Sequence, residues 1–297
     1  MRRFLLAATV LLFAGATGIT HAQRQFQLFA TFVDASGAPA TSVDPASLRV
    51  AENDQEAKVV KVEPVNWPLK LQLLLDNGVG LGGENLIHLR NGVRALLEGL
   101  PDGVEVTIVT TAPQPRFVVR ATTDRKALLE GVDRLTPDTG AGRFVESLNE
   151  ATQRIERDKS DYFPVIISLG TTSGDTNVME RDIERLMRRL EQRPTTVHVV
   201  MFSAGVGRTA GGGANQTQVG IAVTKFTQGR YENITAASRI ATLLPELGAE
   251  AAKVHGGQGG RFRLTVERPA GASGDLGRIT LGTRGGLVAT SLSMAGR

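Results

Sequence analysis

Cysteine is absent from this 297-residue chain. That excludes disulfide staples, thiolate metal sites and thiol nucleophiles, so stability has to come from an ordinary apolar core. Histidine is scarce. Beyond residue 22 only His88, His198 and His255 remain, far apart in sequence, which argues against a histidine-based zinc site. Aromatics number 14, and no basic stripe is interleaved with them. A nucleic-acid surface needs clustered positive charge, whereas here 34 basic residues are scattered among 30 acids for a net charge of +4. Beyond the N-terminus there is no apolar run of the ~20 residues needed to span a bilayer.

What is present begins with an export signal. Arg2 and Arg3 precede a mostly apolar stretch from Phe4 to Ile19, and Thr20-His21-Ala22 offers a small-residue cleavage site before Gln23. Ala14-Gly15-Ala16 is a second candidate site. This is the order of a secretory signal peptide, so residues 1–22 are expected to be removed and the mature protein to be periplasmic or secreted. Cleavage removes two arginines and no acids, leaving a net charge of +2. The remaining length is ample for one or two cores.

Residues 23–68 read as β. Phe26, Leu28, Ala30 and Phe32 alternate, Asp34-Ala35-Ser36-Gly37 marks a turn, and Leu48 and Val50 alternate again. Residues 69–254 switch to strand–helix alternation, which predicts a doubly wound, mostly parallel α/β sheet. Predicted strands are Lys70–Leu75, Glu105–Thr111, Phe117–Arg120, Phe163–Leu169, Val197–Ser203 and Arg230–Asn233. Helical faces follow the 3.6-residue period: Leu86, Leu89, Val93 and Leu96, then Phe144, Leu148, Ala151 and Ile155, then Met179, Ile183, Leu186 and Leu190, and finally Ile240, Leu243, Leu244 and Leu247. Asn177 and Glu180 have capping-box spacing. A glycine-rich linker covers 255–260, and β alternation returns over 261–297 through Phe262, Leu264 and Val266. The two β ends are expected to pair around the inserted α/β domain.

The most informative stretch is Leu69 to Gly80. An apolar strand ends in Asp76-Asn77-Gly78-Val79-Gly80, before an amphipathic helix. Open α/β sheets bind ligands just beyond the carboxyl ends of their strands. Two further loops, Thr139-Gly140-Ala141-Gly142 and Ser168-Leu169-Gly170, and a glycine-rich segment from Gly205 to Gly213 with Arg208, are expected on the same face.

The element order resembles the von Willebrand factor A domain, and more narrowly the bacterial secreted proteins related to it. The resemblance rests on the strand-and-turn Leu48-Arg49-Val50-Ala51-Glu52-Asn53-Asp54, on Phe226-Thr227-Gln228-Gly229-Arg230-Tyr231, and on the closing Arg261-Phe262-Arg263-Leu264-Thr265-Val266. The resemblance implies a metal-ion-dependent adhesion site built from Asp-x-Ser-x-Ser, a threonine of a second loop and an aspartate of a third. Here Asp76 survives, Gly78 and Gly80 stand where the serines would be, Gly142 stands for the threonine, and Leu169 replaces the aspartate. A hard divalent cation wants about six oxygen ligands, so no cofactor and no metal is expected; if one binds, Asp76 is the ligand. Glu84, Asp138, Thr139, Thr171, Thr172 and Asp175 are the oxygens from which a site would have to be rebuilt.

Gly78 to Gly83 also satisfies Gly-x-Gly-x-x-Gly after a strand, the dinucleotide pattern. Asp76 beside the pyrophosphate and the missing ribose-binding acid after Val104–Thr111 argue against it. No Gly-x-Ser-x-Gly elbow or phosphate-binding lysine loop is present. The expected function is therefore that of an exported, non-enzymatic protein-binding or scaffold protein. Its binding face is formed by Asp76, Asn77, Gly78, Gly80, Thr139, Gly142, Ser168, Gly170 and Arg208. Metal-dependent adhesion around Asp76 and a nucleotide-binding enzyme are the alternatives.

Overall fold

A computed structural model describes residues 25–174, 176–193, 195–203, 212–255, 260–274 and 276–294. The expected signal peptide, Asp175, Gly205, Arg208 and most of the linker lie outside the described residues.

Twelve strands form two six-stranded sheets. The α/β sheet has the order β6-β5-β4-β7-β8-β9. Its strands are β4 (Leu69–Leu75), β5 (Glu105–Thr110), β6 (Arg116–Thr122), β7 (Phe163–Thr171), β8 (Thr196–Phe202) and β9 (Tyr231–Ile234). All neighbours pair in parallel except β5 and β6. Every residue of β7 is buried, as befits a central parallel strand covered on both faces.

The alternation of β4 shows how the two faces fill. Leu69, Leu71, Leu73 and Leu75 enter one core with Leu89, Val93 and Leu96 of α1 (Leu86–Gly99), Leu128 and Val132 of α2 (Arg125–Asp133), and Ile240, Leu243 and Leu247 of α6 (Ile240–His255). Leu74 points the other way, to Phe144 and Leu148 of α3 (Phe144–Arg157), Leu186 and Leu190 of α4 (Glu180–Gln192), and Val219 and Val223 of α5 (Gly212–Thr227). The expected apolar faces of α1, α3 and α6 are thus the buried ones. In α4 only Leu186 and Leu190 are fully buried; Ile183 packs part-buried, and Met179 is the exposed N-cap.

Two local expectations are corrected. The cap of α4 lies two residues later than the spacing suggests: Asp182 Oδ2 accepts from the Met179 N–H at 3.2 Å, while the Asn177 N–H donates to Glu146 Oε1 of α3 at 2.8 Å. Gly212 and Gly213, read as the end of a loop, open α5.

The second sheet pairs the two ends of the chain. Its order is β11-β2-β3-β10-β1-β12, with β1 (Gln25–Val33), β2 (Leu48–Glu52), β3 (Gln55–Pro64), β10 (Arg261–Glu267), β11 (Ile279–Thr283) and β12 (Val288–Met294). All these pairings are antiparallel. Leu28, Ala30 and Phe32 of β1 fill its core with Phe262, Leu264 and Val266 of β10.

The opposite pleat of β1 makes the joint to the α/β unit. Phe29 packs edge-on to Phe163, the first residue of β7, at 5.4 Å between centroids, and Trp67 lies 4.9 Å from Phe29 and 5.3 Å from Phe163. The Arg261 guanidinium, buried with its strand, stacks 4.0 Å from the Phe163 centroid. Burial pulls its pKa down to about 10, still far above neutral, so a buried cation sits on an aromatic face. Phe29→Ala is expected to cost ~3–5 kcal/mol in urea unfolding; a loss below ~1 kcal/mol would show that this cluster does not hold the two sheets together.

Candidate functional site

The parallel register brings the strand ends to one edge. Leu75 pairs with Thr110 on one side and Leu169 on the other, so the segments after β4, β5 and β7 leave the sheet together. Asp76 is the first residue beyond β4 and is only 1% exposed. Its backbone N–H donates to Leu169 O at 2.9 Å, its Oδ2 accepts from Thr171 Oγ1 at 2.7 Å, and its Oδ1 accepts from the Gly78 N–H at 2.8 Å. Burial raises its pKa, while the Gly78 N–H and the Thr171 hydroxyl and backbone pull the other way.

The rest of the first loop is tied down by its own backbone. Asn77, also buried, donates from Nδ2 to Thr136 O at 2.8 Å and accepts on its carbonyl from the Asp138 N–H at 2.8 Å. The Val79 N–H donates to Gly140 O at 3.1 Å, and the Leu81 N–H to Gly78 O at 3.1 Å. Arg143 N–H donates to Thr111 O at 3.0 Å.

The glycines let these loops close on one another. A Cβ on Gly142 would overlap Asp76 Oδ2 and lie 2.6 Å from Oδ1. A Cβ on Gly80 would overlap the hydroxyls of Thr171 and Ser173 and lie 2.8 Å from Thr171 Cβ. One on Gly78 would lie 2.9 Å from Ala112 Cβ. Above Gly174, the Gln216 side chain of α5 is fully buried, and neither of its amide atoms has a hydrogen-bond partner among the described residues.

Of the expected face, Gly78 and Gly142 lie against the Asp76 carboxylate, Asn77 is its buried neighbour in the chain, and Gly80 packs on Thr171 and Ser173. Thr139 shares the second loop but is exposed, and the loop is shaped by Asp138, whose Oδ1 accepts from the Gly140 N–H at 2.8 Å. Ser168 and Gly170 are not loop residues. Strand β7 runs on to Thr171, so Ser168 is buried between Leu74 and Val199 and Gly170 packs near Phe144 and Met201. The third loop starts at Thr171, whose hydroxyl joins the site; Ser173 and Gln216 had not been singled out. Pairing with β8, which runs to Thr171 opposite Phe202, is what carries β7 past Leu169 and brings Ser173 into the third loop. Gln216 carries no local signal, because only the packing of α5 brings it there.

Comparison with known proteins agrees with this architecture. Residues 71–174 match the family model described as von Willebrand factor type A domain. The chain carries a von Willebrand factor type A domain. No curated protein matches the chain. Among solved structures, a von Willebrand factor type A protein from Catenulispora acidiphila superposes with a TM-score of 0.53 at 13% identity, covering 91% of this chain and 74% of that one. The pilus adhesin SpaC from Lactobacillus rhamnosus GG, in its open conformation, gives 0.52 at 13% identity, covering 86% of this chain and 48% of that one. At such identities the likeness is one of fold, and it extends beyond the type A domain into the flanking β strands.

Restoring the family's side chains to this type A domain is expected to damage it. Gly142→Thr and Gly80→Ser should each lose ~1–3 kcal/mol by overpacking, read by thermal or urea unfolding; unchanged stability would mean that the loops move apart at little cost. Asp76 also predicts a pH effect. Its folded pKa lies above the ordinary 3.8, so the folded chain holds that proton more tightly than the unfolded chain, and stability falls as pH rises through the raised value. Asp76→Asn can keep the Gly78 bond on its amide oxygen and reverse the other by donating from Nδ2 to Thr171 Oγ1, so it should flatten that fall and be at least as stable as wild type at pH 7. A strong loss at pH 7 would contradict this account.

Proposed function

We propose that the protein is an exported, non-enzymatic binding module whose type A loop face recognises a protein partner without a metal ion. The observation that carries this is the fate of the Asp76 carboxylate. Both of its oxygens already accept hydrogen bonds, and the positions where the family places ligand hydroxyls are glycines pressed against neighbouring atoms. The residues present do not suit a hard divalent cation. Among the described residues no three acidic or histidine side chains are grouped to hold one. Of the oxygens available for rebuilding, Asp138 is committed to Gly140, and Glu84 folds back beside Gly82 and Asn85.

Recognition then falls to shape and apolar contact. Val79, at the tip of the first loop, is 58% exposed on a backbone held rigid by Gly140 and Asp76. A pre-organised loop of this kind binds at little entropic cost. Membership of the fold shared by a pilus adhesin supports a binding role, and the N-terminal signal supports export. The nucleotide reading has less support: the Leu81 and Gly82 N–H groups, which would have to face a pyrophosphate, turn inward to Gly78 O at 3.1 and 3.4 Å.

Calorimetric titration of Mg²⁺, Mn²⁺ and Ca²⁺ into the chelator-treated mature protein tests the reading. No binding heat is expected, and capture of a partner should persist in chelator and fail in Val79→Asp. Saturable heat that vanishes in Asp76→Ala would restore metal-dependent adhesion in its place.

A further inference from the structure

The α/β sheet ends at β6, its one antiparallel strand and its least buried, with Arg116, Phe117, Arg120 and Ala121 exposed. Phe117 is 43% exposed, and two guanidinium groups lie over its ring: Arg120 from the same strand at 4.6 Å and Arg154 from α3 at 5.2 Å. Neither Arg116 nor Arg120 is ion-paired with an acid among the described residues. Arg154 has Glu150 at 3.7 Å and donates from Nε to Gln72 Oε1 at 2.9 Å, but its Nη2 is buried without a hydrogen-bond partner.

Arginines on an open sheet edge often serve only to keep other strands away. Three features here point further. Stacking on Phe117 restricts the Arg120 side chain while leaving its in-plane N–H groups free to form paired hydrogen bonds with a carboxylate. Arg154, held by Gln72 and Glu150, backs the ring from the α3 side. The aromatic ring between the guanidinium groups offers an apolar anchor of the kind that dominates binding energy.

We propose that this edge is a second docking surface, which takes an extended acidic segment of a protein partner, its carboxylates on the exposed Arg116 and Arg120 and an apolar residue on Phe117. It is independent of the Asp76 loop face. The probe is a fluorescein-labelled (Glu-Val)4 peptide, with (Lys-Val)4 and (Ser-Val)4 as controls, followed by anisotropy against the mature protein at 50 and 300 mM salt. Saturable binding of (Glu-Val)4 alone is expected. It should weaken at least tenfold in Arg120→Glu and in Phe117→Ser, weaken less in Arg120→Lys, fall at high salt, and be unchanged in Val79→Asp. Circular dichroism checks that each variant is folded, and these exposed positions leave the core untouched. Equal binding of the serine peptide, full binding by Arg120→Glu, or no binding would overturn the proposal. Loss of binding in Val79→Asp would move the peptide to the loop face. Self-association abolished by Phe117→Ser would make the patch an interface between copies and overturn it too.

Discussion

A buried carboxylate is the constraint around which the ligand edge of this domain is arranged. Asp76 leaves β4 into a space with almost no water, where an ion without partners is expensive. The Thr171 hydroxyl and the Gly78 N–H supply partners, and they do so only because three loops come close enough. That approach is set by what is missing. Side-chain atoms at Gly78, Gly80 and Gly142 would occupy the volume now filled by Ala112, Thr171, Ser173 and Asp76 itself. Glycine at these positions is therefore a packing requirement of the closed arrangement.

The same logic of committed partners governs the joint between the sheets. β1 and β10 each show one pleat to their own core and the other to the α/β unit. Phe29 and Arg261 are on the second pleat, meeting Phe163 and Trp67. Because Phe163 begins β7, whose far end is Thr171, the aromatic joint and the Asp76 knot are the two ends of one fully buried strand. The antiparallel sheet thus anchors the central strand of the domain at the edge opposite the loops. This arrangement gives the loop face a rigid base, and it explains why both chain termini are needed to complete one sheet.

The architecture was legible in the sequence because it depends on periodicity. Alternation in Leu69–Leu75, the 3.6-residue faces of α1, α3 and α6, and the paired β ends all follow from burial of one side of each element. Helix α5 was not legible: Gly212–Thr227 mixes glycine with β-branched residues, and only Val219 and Val223 of its apolar side chains are fully buried. At the site, the retained Asp76 and the substituted positions could be read, since they are single letters in a spaced pattern. The third loop was misplaced by its strand boundary. Ser168 and Gly170 look like a loop because serine and glycine usually end strands, yet burial between Leu74 and Val199 keeps them inside β7. Roles that depend on distant packing, such as those of Gln216 and of Arg154 over Phe117, leave no local trace.

Closing the loop face changes what kind of recognition this edge of the fold can carry. An ion-centred site draws its strength from one charge whose ligands must be mobile enough to admit a carboxylate from outside. Here Asp76 is buried and both of its oxygens accept hydrogen bonds, which is why the recognition proposed for this edge is independent of metal, and the loop that holds it presents Val79 to solvent. Exposed arginines lie on the β6 edge, Arg116 and Arg120, the latter 4.6 Å from the Phe117 ring centroid. On the two readings proposed above, apolar and electrostatic recognition fall on different surfaces of one domain. A partner able to engage both would gain through the linked second contact without either surface being strong alone. Glycine at 80 and 142 underlies the loop side of that proposal, since a side chain at either position would overlap Thr171 and Ser173 or Asp76 in the closed arrangement.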